Sequence, residues 1–293
     1  MRIAISGSTG LVGSALAEIL PAQGHVVVPI VRGNGAGIAW DGGEHFDAAA
    51  LRTCDAIIHL AGANLAARRW SAAFRAEIRD SRVVGTAALA RLLAADAGAV
   101  RTLIVASGAG FYGERGEAEV DERSPLGAGF LAEVCRDWEA AADPCRACVR
   151  TVHLRLGVVL SRRGGALPKM IGPARFGLAG ALGSGRQWWP WIALDDLVRV
   201  VGHVLADAAI SGPLNAVAPQ PVRQIDLARA VAAAVHRPAW GPPVPRWALR
   251  LMIGGMAEEV LLASTRAVPR VLMQSTFAWS QGGVSQAVGS GPR

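Results

Sequence analysis

The chain has 293 residues, 52% hydrophobic and 18% charged, with 30 basic and 23 acidic side chains and a formal net charge of +7. That length and apolar content exclude a disordered polymer and suit one large α/β domain carrying a smaller lobe. The positive balance does not mark a nucleic-acid surface: the arginines are scattered, and the crowd at Arg68, Arg69, Arg75, Arg79 and Arg82 is interrupted by Glu77 and Asp80.

Met1 to Ser6 reads as a short buried strand, and Gly7-Ser8-Thr9-Gly10-Leu11-Val12-Gly13 follows it directly. Ser14 to Leu20 has the apolar spacing of a helix. A strand that runs through a glycine turn into a helix points bare backbone N–H groups at one spot, at the positive end of the helix dipole, where a pyrophosphate fits. Gly7 allows the tight turn, Gly10 lets phosphate approach, and Gly13 lets the helix pack on the strand. Dinucleotide binding through residues Gly7 to Gly13 is therefore expected; the plainer alternative is an ordinary glycine turn of a parallel α/β protein.

A second strand runs from Gly24 to Arg32 and a short third covers Ile38 to Trp40. Sites that prefer NAD place a carboxylate after the second strand to hold the ribose 2′-hydroxyl, whereas an arginine accepts the 2′-phosphate of NADP. Here Arg32 is followed by Gly33 and Asn34, which favours NADP(H) over NAD(H), with Asp41 a complication if its loop folds back. Asp55 to Gly62 is a buried strand ending in small residues. Trp70 to Ala97 is helical, Arg101 to Ser107 a strand, Phe130 to Ala142 a helix and Val149 to Leu156 a strand. Strands alternating with helices imply a doubly wound parallel sheet of Rossmann type. The pattern weakens after Leu160. The expected division is a cofactor-binding domain over 1–160 that also receives about 193–218, and a smaller α+β substrate lobe from 161–192 and 219–293, with 281–293 a frayed tail.

The four cysteines make no disulfide framework at this length, and Cys145-Arg-Ala-Cys148 lacks the second ligand pair of a zinc site, so no metal is expected. With no apolar run long enough to span a membrane and no leader-like N-terminus, a cytoplasmic protein with a small-molecule substrate and neither nucleic-acid nor membrane partners is the expectation.

These residues resemble the extended short-chain dehydrogenase/reductase superfamily: the GxxGxxG of Gly7 to Gly13, the HLAG of His59 to Gly62, and Ser107 ahead of Phe111-Tyr112-Gly113. More closely the chain resembles an atypical subgroup, described as sugar-nucleotide epimerase-like or cell-division inhibitor-like. The matching stretches include Arg69-Trp70, Glu77 to Val83, Phe130 to Cys135, Gly164 to Met170, Gly183 to Trp188 and Ala257 to Ser264, and they cover nearly the whole chain. The resemblance implies cofactor contacts from Leu60, Ala61, Gly62 and Ser107, and a homodimer through the helices at 70–97 and 130–142. Typical members use Tyr-x-x-x-Lys, with tyrosine as acid/base and lysine lowering its pKa. This chain's one tyrosine, Tyr112, and one lysine, Lys169, cannot form that motif, and Leu131 and Cys135 fall at the two positions. Ala193 stands where relatives commonly carry histidine.

Chemistry must then come from other groups. Ser107 stands at the C-terminal end of a parallel strand, where ligands bind, although a serine capping the next turn is equally ordinary. Tyr112 offers a phenol. Glu133 lies on the helix that normally carries the catalytic pair, and burial there would raise its pKa. Lys169 follows a glycine loop at the mouth of the lobe. Arg186, Gln187 and Trp188 are candidates for holding a substrate phosphate or carboxylate. Two functions follow: an NADP(H)-dependent oxidoreductase or epimerase-like enzyme with an atypical site, acting on a small-molecule or nucleotide-linked substrate, or a catalytically silent NADP(H)-binding regulator.

Overall fold

The computed structural model describes residues 1–33 and 35–289. Asn34 and the last residues of the expected tail, 290–293, lie outside them. Seven strands form the central sheet: β1 (Arg2–Ser6), β2 (Val26–Arg32), β3 (Ile38–Trp40), β4 (Ala56–His59), β5 (Thr102–Gly108), β6 (Arg150–Leu156) and β7 (Gly212–Ala216). Their spatial order is β7-β6-β5-β4-β1-β2-β3, and every neighbouring pair is parallel. The order reverses between β1 and β4, which places a topological switch point above Ser6 and His59, paired in register.

Alternation along β1 sends Ile3 and Ile5 to one side and Ala4 to the other. Ile3 and Ile5 join a core with α1 (Leu11–Ala22) and α5 (Leu194–Ala206), through Leu16, Leu20, Leu197 and Val201. On the opposite face α2 (Ala72–Ala95) and α3 (Phe130–Ala140) pack Leu89, Leu93 and Trp138 against Ile57, Leu103 and Val105. Both faces are covered, which is why the strands read as continuous apolar runs, and the doubly wound Rossmann-type sheet inferred from the sequence is what forms.

The remaining elements build a separate core around Trp189, Trp191, Leu227 and Val231, with α4 (Ala166–Ala174), α6 (Gln224–Ala234) and α8 (Val284–Gly289). Between α6 and α8, α7 (Arg246–Ile253) leads into the segment Ala257–Leu262, whose Glu259 meets the start of α3. The sequence reading of a frayed tail from 281 is corrected here. Val284, Ala287 and Val288 recur at helical spacing, Ala287 and Val288 are buried in this core, and Arg162 donates to the Val288 carbonyl. The Gly/Ser-rich composition concealed a short amphipathic helix. Among the described residues, no helix is long and apolar enough to cross a membrane.

Candidate functional site

The glycine turn is built by close contact. Gly7 sits at φ +69°, and a Cβ there would meet the Leu60 carbonyl at 3.1 Å. A Cβ on Gly13 would lie 2.2 Å from the Gly7 oxygen, so α1 rests directly on the turn. Gly10 precedes α1 with no side-chain cap, and the first turn carries no carboxylate, which leaves the helix N-terminus open to an anion. Thr9 and Gly10 are exposed there.

The adjoining strand end is fastened from below. Ser6 Oγ accepts the N–H groups of Leu60 and Ala61 at 3.1 and 3.2 Å, and lies 2.8 Å from His59 Nδ1. With its lone pairs so occupied, Ser6 donates to Nδ1, and the ring proton of His59 belongs on Nε2. Nε2 has no hydrogen-bond partner among the described residues; the ring meets Trp40 edge-on at 5.8 Å. Full burial lowers the His59 pKa to about 4, so the imidazole is neutral.

At the C-terminal ends of β4, β5 and β6 opens a cleft of about 380 Å³. Leu60, Gly62, Ser107 and Leu156 supply its sheet side, Leu131, Val134 and Cys135 of α3 one wall, and Trp189, Glu259 and Val260 another. Most of the lining is apolar with a few polar groups converging on it, the usual make-up of a small-molecule site. Glu259 also accepts the N–H groups of Phe130 and Leu131, at 3.2 and 2.7 Å. It thereby caps α3, which begins at Gly129 (φ +111°) without a side-chain cap of its own.

Ser107 is 3% exposed, and its hydroxyl donates to Glu139 Oε1 at 2.7 Å. Glu139 is held by a bidentate ion pair with Arg155: Nε to Oε1 and Nη2 to Oε2, both 2.9 Å. Burial opposes the Arg155 charge, but the hydrogen bonds and charge of Glu139 outweigh it and raise its pKa. The guanidinium lies 3.5 Å over the centre of the Phe111 ring and donates to the Tyr112 hydroxyl at 3.0 Å. Tyr112 in turn donates to Asn215 Oδ1 at 2.7 Å. Cys135, beside Ser107, has its pKa pushed up to about 11, by burial first and then by the Glu139 charge, and remains a thiol.

The cleft thus brings Ser107 together with Leu60 and Gly62, but not with the other sequence candidates. Tyr112 is buried behind Ser107 with its pKa raised to about 12, chiefly by burial, and does not line the cleft. Glu133 is exposed, because it lies about 200° around α3 from Leu131. Lys169 is exposed on α4, outside the lining. Arg186 is exposed and accepts a hydrogen bond from Arg223 through its carbonyl. Gln187 is buried, donating to the carbonyls of Leu182 and Leu261. Trp188 donates to Glu117 and carries the guanidinium of Arg223 at 4.3 Å from its ring centre. It is the next residue, Trp189, that reaches the cleft.

Arg32 is exposed at the end of β2. Asp41 is engaged within its own loop by His45 Nδ1 at 2.7 Å and by the N–H groups of Gly43 and His45, which lower its pKa. Among the described residues, no group of three or more His, Cys, Asp or Glu side chains is arranged to hold a metal ion. Sequence reasoning missed Glu139, Arg155 and Glu259. The spacing Leu131, Cys135, Glu139 is the signal that points to the first of them, since residues four apart share a helix face.

Comparison with known proteins agrees with this architecture. The NAD dependent epimerase/dehydratase family matches residues 3–216, and a domain of unknown function (DUF1731) matches 244–288. An epimerase family protein of Mycobacterium bovis, Mb2239, is 42% identical over 293 residues, covering 98% of this chain and 96% of the relative. The crystal structure of human epimerase family protein SDR39U1 with NADPH is 34% identical, with a TM-score of 0.90 over 99% of this chain and 98% of that one. The Thermus thermophilus UDP-glucose 4-epimerase, in complex with NAD, shares the fold alone: 19% identity at a TM-score of 0.73, over 98% of both chains. By its sheet, its glycine turn and these matches, the chain belongs to the NAD-dependent epimerase/dehydratase family.

Proposed function

We propose that the protein binds NADP(H) along the Gly7–Gly13 turn and acts as an oxidoreductase or epimerase-like enzyme on a small molecule held in the cleft at Ser107. The observation that carries this reading is the continuity of turn and cleft: Leu60 closes against Gly7 and also lines the pocket containing Ser107. The open N-terminus of α1 suits the pyrophosphate; Leu60 and Ala61 lie against the turn at Gly7, and Leu60 and Gly62 line the cleft. An exposed arginine at the end of β2, Arg32, suits a 2′-phosphate, and Asp41 is engaged by His45 within its own loop. The NADPH bound by the human relative supports the same preference. When bound, the nicotinamide supplies hydride transfer; the chain's own residues bind, orient and shield. Ser107 contacts the ligand oxygen, and the apolar walls at Leu131, Val134 and Val260 exclude water.

A silent cofactor-binding regulator is the second reading. It is favoured by Leu131 and Cys135, an apolar side chain and a protonated thiol where typical members hold their acid/base pair. Titration with NADPH and NADH, followed by tryptophan fluorescence, tests the shared premise. Tight NADPH and weak NADH binding is expected, and binding of neither overturns both readings. Turnover of NADPH with carbonyl compounds, and of NADP+ with alcohols, separates enzyme from regulator.

A further inference from the structure

Resting on the cleft assignment above, we propose that Glu139 is a positioning residue that locks Ser107 as a hydrogen-bond acceptor, so that the cleft takes a ligand presenting a hydroxyl group in preference to a carbonyl. Ser107 has a single proton, and it is directed inward to Glu139 Oε1 at 2.7 Å. The carboxylate cannot return the favour. Both its oxygens are engaged by Arg155 at 2.9 Å, and a paired carboxylate is acceptor only. Arg155 is fixed in turn by Phe111 and the Tyr112 hydroxyl, and its side chain is only 4% exposed, so the pair has no room to turn away. Cys135, as a thiol, is at most a weak donor to Ser107 and offers no alternative acceptor for its proton comparable with Glu139. What Ser107 shows the cleft is therefore lone-pair density.

An alcohol O–H completes that arrangement, whereas a carbonyl oxygen at the same point sets lone pair against lone pair. A site whose buried polar group is already committed discriminates by leaving the wrong partner unpaired. Glu139 acts only through Ser107 and has no place in the cleft lining.

The test uses two probes of matched shape, cyclohexanol and cyclohexanone, titrated against the cofactor-free protein by saturation-transfer NMR. The wild type is expected to bind the alcohol roughly fivefold more tightly, the size of one net hydrogen bond. Ser107→Ala brings the ratio to about one. Glu139→Leu leaves no acceptor beside Ser107, releases its proton toward the cleft and lowers the ratio to one or below; a merely structural role for Glu139 would weaken both probes alike. Equal binding of the two probes by the wild type, a preference for the ketone, or binding of neither overturns the proposal. So does a folded Glu139→Leu protein that keeps the wild-type ratio. Should that variant not fold, Glu139→Leu combined with Arg155→Met, which also removes the charge left unpaired, takes its place and the same ratio decides. NADPH titration of the same samples keeps the two ideas distinct, because loss of NADPH binding bears on the proposed function and the probe ratio does not depend on it.

Discussion

The carboxylate of Glu259 receives the N–H of Leu131 at 2.7 Å, so the residue at the position of the missing tyrosine is held by a side chain from the far end of the sequence. The helix that carries the acid/base pair in typical relatives is here fixed by its backbone instead. Replacing Glu259 with alanine uncaps α3 and is expected to cost about 1 kcal/mol, as for other helix N-caps. A lower urea midpoint with unchanged m-value is the expected result; an unchanged midpoint would show the cap to be idle.

Gly13→Ala forces a Cβ to within 2.2 Å of the Gly7 oxygen, and α1 must lift off the turn. A loss of about 1–3 kcal/mol is expected from this overpacking, together with weakened NADPH binding. Gly172→Ala is the control. It lies inside α4 with nothing within 4 Å of the new Cβ, and should be neutral or slightly stabilising. Thermal unfolding of the two variants tests the contrast.

Arg155→Met leaves the Glu139 carboxylate nearly buried and unpaired, a change worth about 3–5 kcal/mol. The double variant Arg155→Met with Glu139→Leu removes both charges and should recover much of that loss. A double variant as unstable as the single one would mean that packing over Phe111, and not charge, dominates at this position.

His59 sets a pH dependence. Its folded pKa is depressed from 6.5 to about 4 by burial, so between these values the unfolded chain binds the extra proton. Stability attributable to this group is whole above pH 6.5 and falls as pH drops toward 4, by a total on the order of 3 kcal/mol. His153, also lowered by burial, acts in the same direction. In His59→Asn the amide oxygen can still accept from Ser6, and the slope of stability against pH over this window should become shallower. Chemical denaturation at several pH values measures it.

Arg32→Ala should raise the Kd for NADPH at least tenfold while changing that for NADH little, the difference corresponding to about 1.4 kcal/mol of phosphate contact. Equal losses for both cofactors would remove Arg32 from the specificity argument.

The sheet and the glycine turn were legible because their signals are local: apolar runs of strand length, and glycines at fixed offsets between a strand and a helix. The polar cluster was not, because Ser107, Glu139 and Arg155 come from three separate elements that only the sheet order brings together. Glu133 drew attention as a carboxylate on the right helix, yet helical geometry turns it to solvent while Glu139, two turns beyond Leu131, shares the inward face. Lys169 stood out by being the one lysine among 30 basic residues, but rarity of a residue type reports composition and says nothing of direction. Tyr112 was picked for its phenol; its neighbours Arg155 and Asn215 have made that phenol a strut.

Ser6 carries a consequence for how the strand end meets a ligand. Because its hydroxyl oxygen takes the N–H groups of Leu60 and Ala61, those amides face inward and are closed to anything lying above them. That stretch of wall discriminates by contour: a flat ring can rest on it, but no partner can be selected there by hydrogen bonding to these two amides.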